Sequence, residues 1–103
     1  MIKVGIDLVL NKRIEKELNN EKFIRKVFHP FELKNKKKLS GIFALKEAAM
    51  KALGKKLNWL DIEVITKEGK KPQVKILDKK FKSIDASISN EGEYTIGIVI
   101  LEL

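Results

Sequence analysis

The sequence predicts an α+β fold, with a mostly antiparallel sheet of about five strands packed on a central helix plus shorter helices. Three observations indicate this class. Apolar and polar residues alternate from Ile2 to Leu8, as they do in a strand. Helical patterns follow, and the segment 43–54 is apolar on nearly every side. Four more strand patterns then come without a long helix between them, an order typical of α+β proteins.

The first half of the chain contains the expected helices. They are expected at 11–18 and 21–28, with a partly helical basic segment at 31–39 and the central helix ending at Gly54. Pro30 ends the second helix, because a proline disfavours the helical conformation in the residue before it. Ser40 is expected to cap the first amides of the central helix, and Gly54 marks its end.

The second half contains the remaining strands. They are expected at 61–66, 73–77, 84–89 and 94–101, with a helical turn at 78–82 and a hairpin connection at 90–93. The last strand is apolar on both faces, whereas an antiparallel strand in a small domain normally exposes one face to water. We therefore expect a homo-oligomer, in which another copy covers that face. A length of 103 residues predicts one domain, spanning 1–103.

The central helix carries two charges among apolar residues. Its apolar positions form two opposed faces, which predicts a helix wedged between packing partners. Glu47 and Lys51 are four residues apart, so they lie together at the seam between these faces. One interpretation is an intrahelical ion pair worth about 0.2–0.5 kcal/mol. The other is a metal or phosphate site, in which Glu47 offers oxygen ligands and Lys51 faces phosphate.

Composition narrows the chemistry. The chain has no cysteine, so disulfides, thiolate catalysis and thiolate metal sites are excluded, and any metal is expected to be held by oxygen. The net charge of +8 predicts an acidic partner: nucleic acid, a phosphorylated ligand or an acidic protein. The basic run at 34–38 is expected to be solvated. No export leader or membrane-spanning run is visible, so a cytoplasmic location is expected.

Several motifs occur in a specific order. They are GIDL at 5–8, FALKEAAMKALG at 43–54, DIEV at 61–64, GKKP at 69–72 and SIS at 87–89, followed by a terminal strand. In this order they resemble the holo-acyl-carrier-protein synthases, the small type of 4′-phosphopantetheinyl transferase, over essentially the whole chain. The resemblance implies Mg²⁺-dependent transfer of phosphopantetheine from coenzyme A to a serine of acyl carrier protein, with release of 3′,5′-ADP. It also implies a homotrimer with sites between subunits.

The resemblance further implies roles for individual residues. Those roles are catalysis for Glu47 and Lys51, metal binding for Asp7 and Glu47, coenzyme A binding for Lys51, Gly54, Lys71, Pro72 and Ser87, and carrier binding for Arg13. Asp7 lies on the strand face opposite the apolar row, where Gly5 is expected to leave open space beside it. Lys46 is expected to face phosphate, carrier or solvent.

Some positions depart from the family pattern. Ile42, Asp85, Asn90 and Glu91 stand where arginine, histidine, histidine and threonine are usual. These departures remove expected contacts to coenzyme A, which Lys55, Lys56 or Lys70 can replace. A catalytically impaired relative that binds carrier protein is therefore one alternative. A basic nucleic-acid-binding module is the other, disfavoured because no basic stretch is interleaved with aromatic residues.

Overall fold

The computed structural model describes residues 1–103 and contains five strands and three α-helices. The strands are β1 (Ile2–Leu10), β2 (Ile62–Ile65), β3 (Gln73–Ile76), β4 (Ser83–Glu91) and β5 (Tyr94–Glu102). The α-helices are α1 (Asn11–Glu17), α2 (Glu21–Val27) and α3 (Leu39–Leu53). Short 3₁₀ helices lie at Pro30–Lys34, Lys36–Lys38 and Trp59–Asp61. The predicted α+β class with antiparallel strands is confirmed, although the strands divide into two sheets.

The larger sheet has the order β1-β5-β4, and the smaller one pairs β2 with β3. All pairings are antiparallel. Strands β4 and β5 are joined by a tight turn in which Gly92 has a φ of 56°, a conformation that glycine adopts without strain. No helical turn forms at 78–82, because the chain turns at Asp78 with a φ of 59° and continues irregularly.

Helix α3 packs with its backbone directly against the larger sheet. A Cβ atom at Gly5 would lie 1.8 Å from the carbonyl oxygen of Ala48, and one at Gly97 would lie 2.9 Å from the carbonyl carbon of Ala44. The expectation of open space beside Gly5 was therefore wrong, because the helix fills it. Because glycine has no side chain at these two positions, the backbone of α3 can lie in direct contact with β1 and β5.

Helix α3 is buried on opposed sides, as predicted. Its buried residues are Leu39, Gly41, Ile42, Phe43, Ala44, Leu45, Lys46, Ala48, Ala49, Met50 and Ala52. The predicted end is also confirmed, since Gly54 has a φ of 74° and its N–H donates to the carbonyl of Met50 at 2.9 Å. The predicted cap is wrong: the helix begins at Leu39, so Ser40 lies within the first turn, and no side chain caps it.

A buried ion pair lies on the side of α3 away from the larger sheet. Lys46, expected at a phosphate, carrier or solvent surface, is 0% exposed. Its ammonium donates to Glu32 Oε1 at 2.8 Å and to the carbonyl of Val27 at 2.6 Å. Glu32 also accepts the backbone N–H groups of His29 and Val64, each at 2.8 Å. Burial lowers the pKa of Lys46, and the pair ties α3 to α2 and β2.

The outer face of the larger sheet is apolar and exposed. It consists of Ile2, Val4, Ile6, Leu8 and Leu10 on β1 and Tyr94, Ile96 and Ile100 on β5. Ile6, at the centre of β1, is 56% exposed. The inner positions of β5 are buried under α3, so only one of its two apolar faces is covered within the chain. None of the helices combines the length and apolar character that crossing a bilayer requires.

Candidate functional site

Asp7 and Lys51 meet where the last turns of α3 cross β1. The Lys51 ammonium donates to Asp7 Oδ1 and to the carbonyl of Ile6, each at 3.1 Å. The Asp7 side chain is only 14% exposed, whereas that of Lys51 is 54% exposed. The close approach of α3 at Gly5 explains this contact, because it brings the helix within reach of the next inward-facing residue of β1.

Glu47 lies one helical turn before Lys51 but does not pair with it. It takes part in none of the chain's salt bridges, so the interpretation as an intrahelical ion pair is wrong. Glu47, Lys51 and Gly54 instead line an open cleft of about 420 Å³, here called the acid–lysine cleft. Its other lining residues are Met50, Lys55, Lys56, Leu57 and Trp59. The half-buried Glu47 carboxylate is thus available to a ligand.

Lys71, Pro72 and Ser87 line a second cleft of about 370 Å³, here called the lysine cleft. Its other lining residues are Lys37, Lys38, Gly41, Thr66, Lys67, Gly69, Lys70, Ile88 and Asn90. Five of its 12 lining residues are lysines and none is acidic. Lys71 is partly neutralised by Asp85, whose carboxylate lies 2.7 Å from its ammonium. Asp85 accepts hydrogen bonds from the Lys71 ammonium and from the N–H of Ala86, and both lower the pKa of its carboxyl group.

The candidate residues therefore fall into two groups. The acid–lysine cleft and the lysine cleft share no lining residue. Within one chain, Glu47, Lys51 and Gly54 line one cleft, to which Asp7 is joined through Lys51, and Lys71, Pro72 and Ser87 line the other. A ligand that contacts both groups must bridge two separate surfaces.

Arg13, the candidate carrier-binding residue, lies on α1 and is exposed. Its guanidinium sits over the ring of Phe43, 5.4 Å from the centroid, which holds the side chain by a cation–π contact. Phe43 in turn stacks on Trp59 at 5.0 Å between centroids. Because Trp59 lines the acid–lysine cleft, an aromatic stack links this cleft to Arg13.

Glu47 lines the acid–lysine cleft and Asp7 contacts Lys51 of that cleft, so these two carboxylates are the candidate metal ligands. The chain contains no group of three or more His, Cys, Asp or Glu side chains placed to hold an ion. Calcium, with six to eight oxygen ligands, or a structural zinc ion would need more protein ligands than two carboxylates. Magnesium, however, is usually bound by one or two carboxylates together with substrate phosphates and water. The donor set therefore fits a magnesium ion that shares its ligands with a phosphorylated substrate.

Sequence reasoning missed two features of these clefts. Lys37 and Lys38 were expected to be solvated, yet they line the lysine cleft. No sequence pattern indicates a role for Trp59, yet it lines the acid–lysine cleft. The density of lysines at 34–38 was the available signal, but the cleft exists only because this segment packs near the β2–β3 connection, which no local pattern reveals.

Comparison with known proteins identifies the family. The sequence profile of the 4′-phosphopantetheinyl transferase superfamily matches residues 3–99. The chain belongs to this superfamily. The holo-[acyl-carrier-protein] synthase of Pelagibacter ubique is 38% identical over 121 residues, covering 96% of this chain and 94% of that relative. That of Mycoplasma capricolum is 40% identical over 108 residues, covering 94% and 91% respectively.

Solved structures of the family have a fold similar to that of this chain. The Helicobacter pylori holo-[acyl-carrier-protein] synthase in complex with coenzyme A has a TM-score of 0.84 at 30% identity, covering 96% of this chain and 99% of that chain. The Bacillus anthracis holo-(acyl-carrier-protein) synthase, in complex with CoA (3′,5′-ADP), has a TM-score of 0.81 at 31% identity, covering 97% and 95%. The predicted family and class of enzyme, a phosphopantetheinyl transferase, are confirmed.

Proposed function

We propose that this phosphopantetheinyl transferase moves the 4′-phosphopantetheine group of coenzyme A to a serine hydroxyl of an acidic acyl carrier protein. The serine oxygen bonds to the phosphorus that carries the pantetheine arm, and the serine proton passes to solvent water. The phosphorus–oxygen bond to the nucleotide breaks, and 3′,5′-ADP leaves. The observation that carries the proposal is the Glu47 carboxylate, free of any salt bridge, in the same cleft as Lys51, whose ammonium donates to Asp7.

The side chains of the acid–lysine cleft suit phosphoryl transfer, which depends on positioning and on neutralising phosphate charge. Asp7 fixes the ammonium of Lys51 at the cleft, where it can turn to a phosphate oxygen as charge develops on the leaving group. We propose that Asp7 and Glu47 hold Mg²⁺. A bound Mg²⁺ would supply further charge neutralisation and would polarise the phosphoryl group whose phosphorus is attacked.

The lysine cleft supports the choice of coenzyme A as donor. Four of its five lysines make no salt bridge within the chain, so the cleft attracts a ligand with several negative charges. Ser87 and Asn90 add hydrogen-bonding groups to its wall. We propose that Lys71, Pro72 and Ser87 contact the nucleotide end of coenzyme A. Gly54, where no side chain intrudes, borders the other cleft, in which the reacting phosphate lies.

We propose a cytoplasmic homotrimer with active sites between subunits. The exposed apolar face of β1 and β5 supports association, because a contiguous apolar surface of this kind usually marks an interface. The separation of the two clefts supports shared sites, since the acid–lysine cleft of one subunit can meet the lysine cleft of the next. Arg13, held over Phe43, presents a positive charge to the acidic carrier near the first of these clefts.

Intact-mass measurement tests the proposal directly. The protein is incubated with coenzyme A, Mg²⁺ and an apo acyl carrier protein, and the carrier is expected to gain the mass of phosphopantetheine. Asp7→Ala and Glu47→Ala are each expected to lower the transfer rate at least about 100-fold, as does removal of Mg²⁺ with a chelator. Glu21→Ala is the matched control, because Glu21 is exposed and pairs only with Arg25.

Three results would count against the proposal. Full activity of either carboxylate variant would remove the metal assignment. Full activity in excess chelator would remove the requirement for Mg²⁺. Carrier binding without any mass increase would instead support the alternative of a catalytically impaired relative.

A further inference from the structure

Thr95 has a buried hydroxyl that contacts two asparagines. The residue is 1% exposed and lies on the inner face of β5, directly opposite Asn90 on β4. Its Oγ1 atom is 2.6 Å from Oδ1 of Asn11 and 2.8 Å from Oδ1 of Asn90. These three side chains form a continuous polar chain, here called the Asn–Thr–Asn relay, at an end of an otherwise apolar layer.

The hydrogen count of the relay limits its arrangement. A hydroxyl has one proton to donate and lone pairs that accept, so Thr95 can donate to only one of the two carboxamides. The other asparagine must turn its amide so that its NH₂ group donates to the Thr95 oxygen, since the amide oxygen and nitrogen are interchangeable in shape. The two asparagines therefore cannot choose their orientations independently. Whatever fixes one of them fixes the other through Thr95.

The two ends of the relay reach different parts of the molecule. Asn90 is exposed and lines the lysine cleft. Asn11 is the first residue of α1, and its backbone N–H donates to the carbonyl of Glu93 at 2.8 Å. Lys12 adds a salt bridge to Glu93 at 3.3 Å. The relay thus joins the wall of the lysine cleft to the start of the helix that carries Arg13.

We infer that Asn90 is a ligand-binding residue of the lysine cleft, donating its amide NH₂ to an anionic group of the ligand, with Thr95 and Asn11 as positioning residues. An anion accepts from the NH₂ of Asn90, so the Asn90 oxygen must accept from the Thr95 hydroxyl. Thr95 then accepts from the NH₂ of Asn11. The lysines beside Asn90 can only donate hydrogen bonds, so the ligand group that they bind is an acceptor. Asn90 must therefore also present its donor, the NH₂ group, to that anion. This inference rests on the proposed function, under which the anionic group is a phosphate of coenzyme A.

A double-mutant cycle tests the relay. Thr95→Val removes the hydroxyl and keeps the shape, Thr95→Ser keeps the hydroxyl, and Asn90→Ala removes the ligand contact. Calorimetry measures Kd for coenzyme A and for 3′,5′-ADP, and steady-state kinetics separate KM from kcat. Asn90→Ala and Thr95→Val are each expected to raise Kd and KM by about tenfold to 150-fold, the loss of one hydrogen bond to a charged group, with kcat within about twofold. Thr95→Ser is expected to match the wild type.

The Kd of the double variant Asn90→Ala/Thr95→Val decides whether Thr95 acts through Asn90. Thr95→Val in the Asn90→Ala background is expected to raise Kd no further, because the hydroxyl then has nothing to orient. Asn19→Ala, which removes the same amide at an exposed position that lines neither cleft, is the matched control and is expected to change nothing. Additive effects in the double variant, or a wild-type Kd for Thr95→Val, would overturn the inference. If thermal melting shows that Thr95→Val is partly unfolded, Asn11→Ala takes its place in the same cycle.

The outcomes also separate this inference from the proposed function. A wild-type protein that binds coenzyme A without transferring its arm contradicts the proposed function and still permits the calorimetric cycle. A protein that transfers normally while its relay variants bind like the wild type contradicts the relay alone. A wild-type protein that binds neither coenzyme A nor 3′,5′-ADP contradicts both.

Discussion

Among single residues, the buried pair Lys46–Glu32 is expected to have the largest effect on stability. Replacing Lys46 by Met keeps the length and apolar character of the stem but leaves the Glu32 carboxylate buried without its cation. We expect Lys46→Met to lower the free energy of unfolding by about 3–5 kcal/mol, because an uncompensated buried charge is strongly unfavourable. Urea unfolding at constant protein concentration measures this loss.

The exposed pair Glu21–Arg25 provides the control for this prediction. Arg25→Ala breaks an exposed contact of 3.6 Å and is expected to cost less than about 1 kcal/mol. Lys46→Met/Glu32→Gln, which removes both charges, is expected to recover part of the loss. If Lys46→Met unfolds at the same urea concentration as Arg25→Ala, the buried pair does not support the fold in the way described.

The same pair shows what a sequence can and cannot predict at this scale. Glu47 and Lys51 were predicted to share a helix seam because they are four residues apart on one helix, and they do line one cleft. Lys46 is the immediate neighbour of Glu47, but its partner Glu32 lies in a separate 3₁₀ helix. Which charge meets a distant acid depends on the angle at which that segment packs, and no spacing within the helix encodes it.

Among the elements, the contact between α3 and β1 determines the geometry of the acid–lysine cleft. Gly5→Ala would place a methyl group 1.8 Å from the Ala48 carbonyl oxygen, and only a shift of the helix can relieve that clash. We expect a loss of about 1–3 kcal/mol of stability from overpacking. We also expect transfer activity to fall at temperatures where the variant is still folded, because Lys51 moves away from Asp7. Thermal unfolding and the intact-mass assay measure the two effects.

Glu21→Ala serves again as a control, since Glu21 is exposed on α2 and pairs only with Arg25. Gly97→Ala is expected to act in the same direction more weakly, because its nearest atoms lie at 2.9–3.0 Å. Wild-type stability and activity in Gly5→Ala would mean that the close approach of α3 does not position Lys51.

Element types and boundaries were largely predictable, and their arrangement less so. Pro30 and Gly54 end helices through local conformational limits, so the neighbouring boundaries were close to those observed. The division into two sheets was missed, because alternation identifies a strand without identifying its partner. The prediction of a helical turn at 78–82 is wrong, since nothing local in this lysine-rich sequence signals the positive φ of Asp78.

For the whole molecule, the main question is what covers the exposed apolar face of the larger sheet. The sheet that packs on α3 leaves an apolar outer surface, with Ile2 71% and Val4 59% exposed on β1. The sequence predicted uncovered apolar surface on β5, and the structure adds the alternating residues of β1 to the same face. We propose that copies of the chain bury this face against one another and that different clefts of neighbouring subunits meet as a result.

Mixing two inactive variants tests whether the site is shared. Glu47→Ala disables the acid–lysine cleft, and Lys70→Glu/Lys71→Glu reverses the charge of the lysine cleft. If each active site takes one cleft from each of two neighbours in a cyclic trimer, random assembly of the two variants at equal amounts restores about a quarter of the sites. Co-expression followed by the intact-mass assay is therefore expected to recover about a quarter of wild-type activity, although each variant alone is nearly inactive.

Co-expression of Glu47→Ala with Asp7→Ala is the control and is expected to recover nothing, because both changes lie on the same side of the site. Recovery in the control, or none in the first mixture despite mixed trimers seen by native mass spectrometry, would contradict a site built from two subunits.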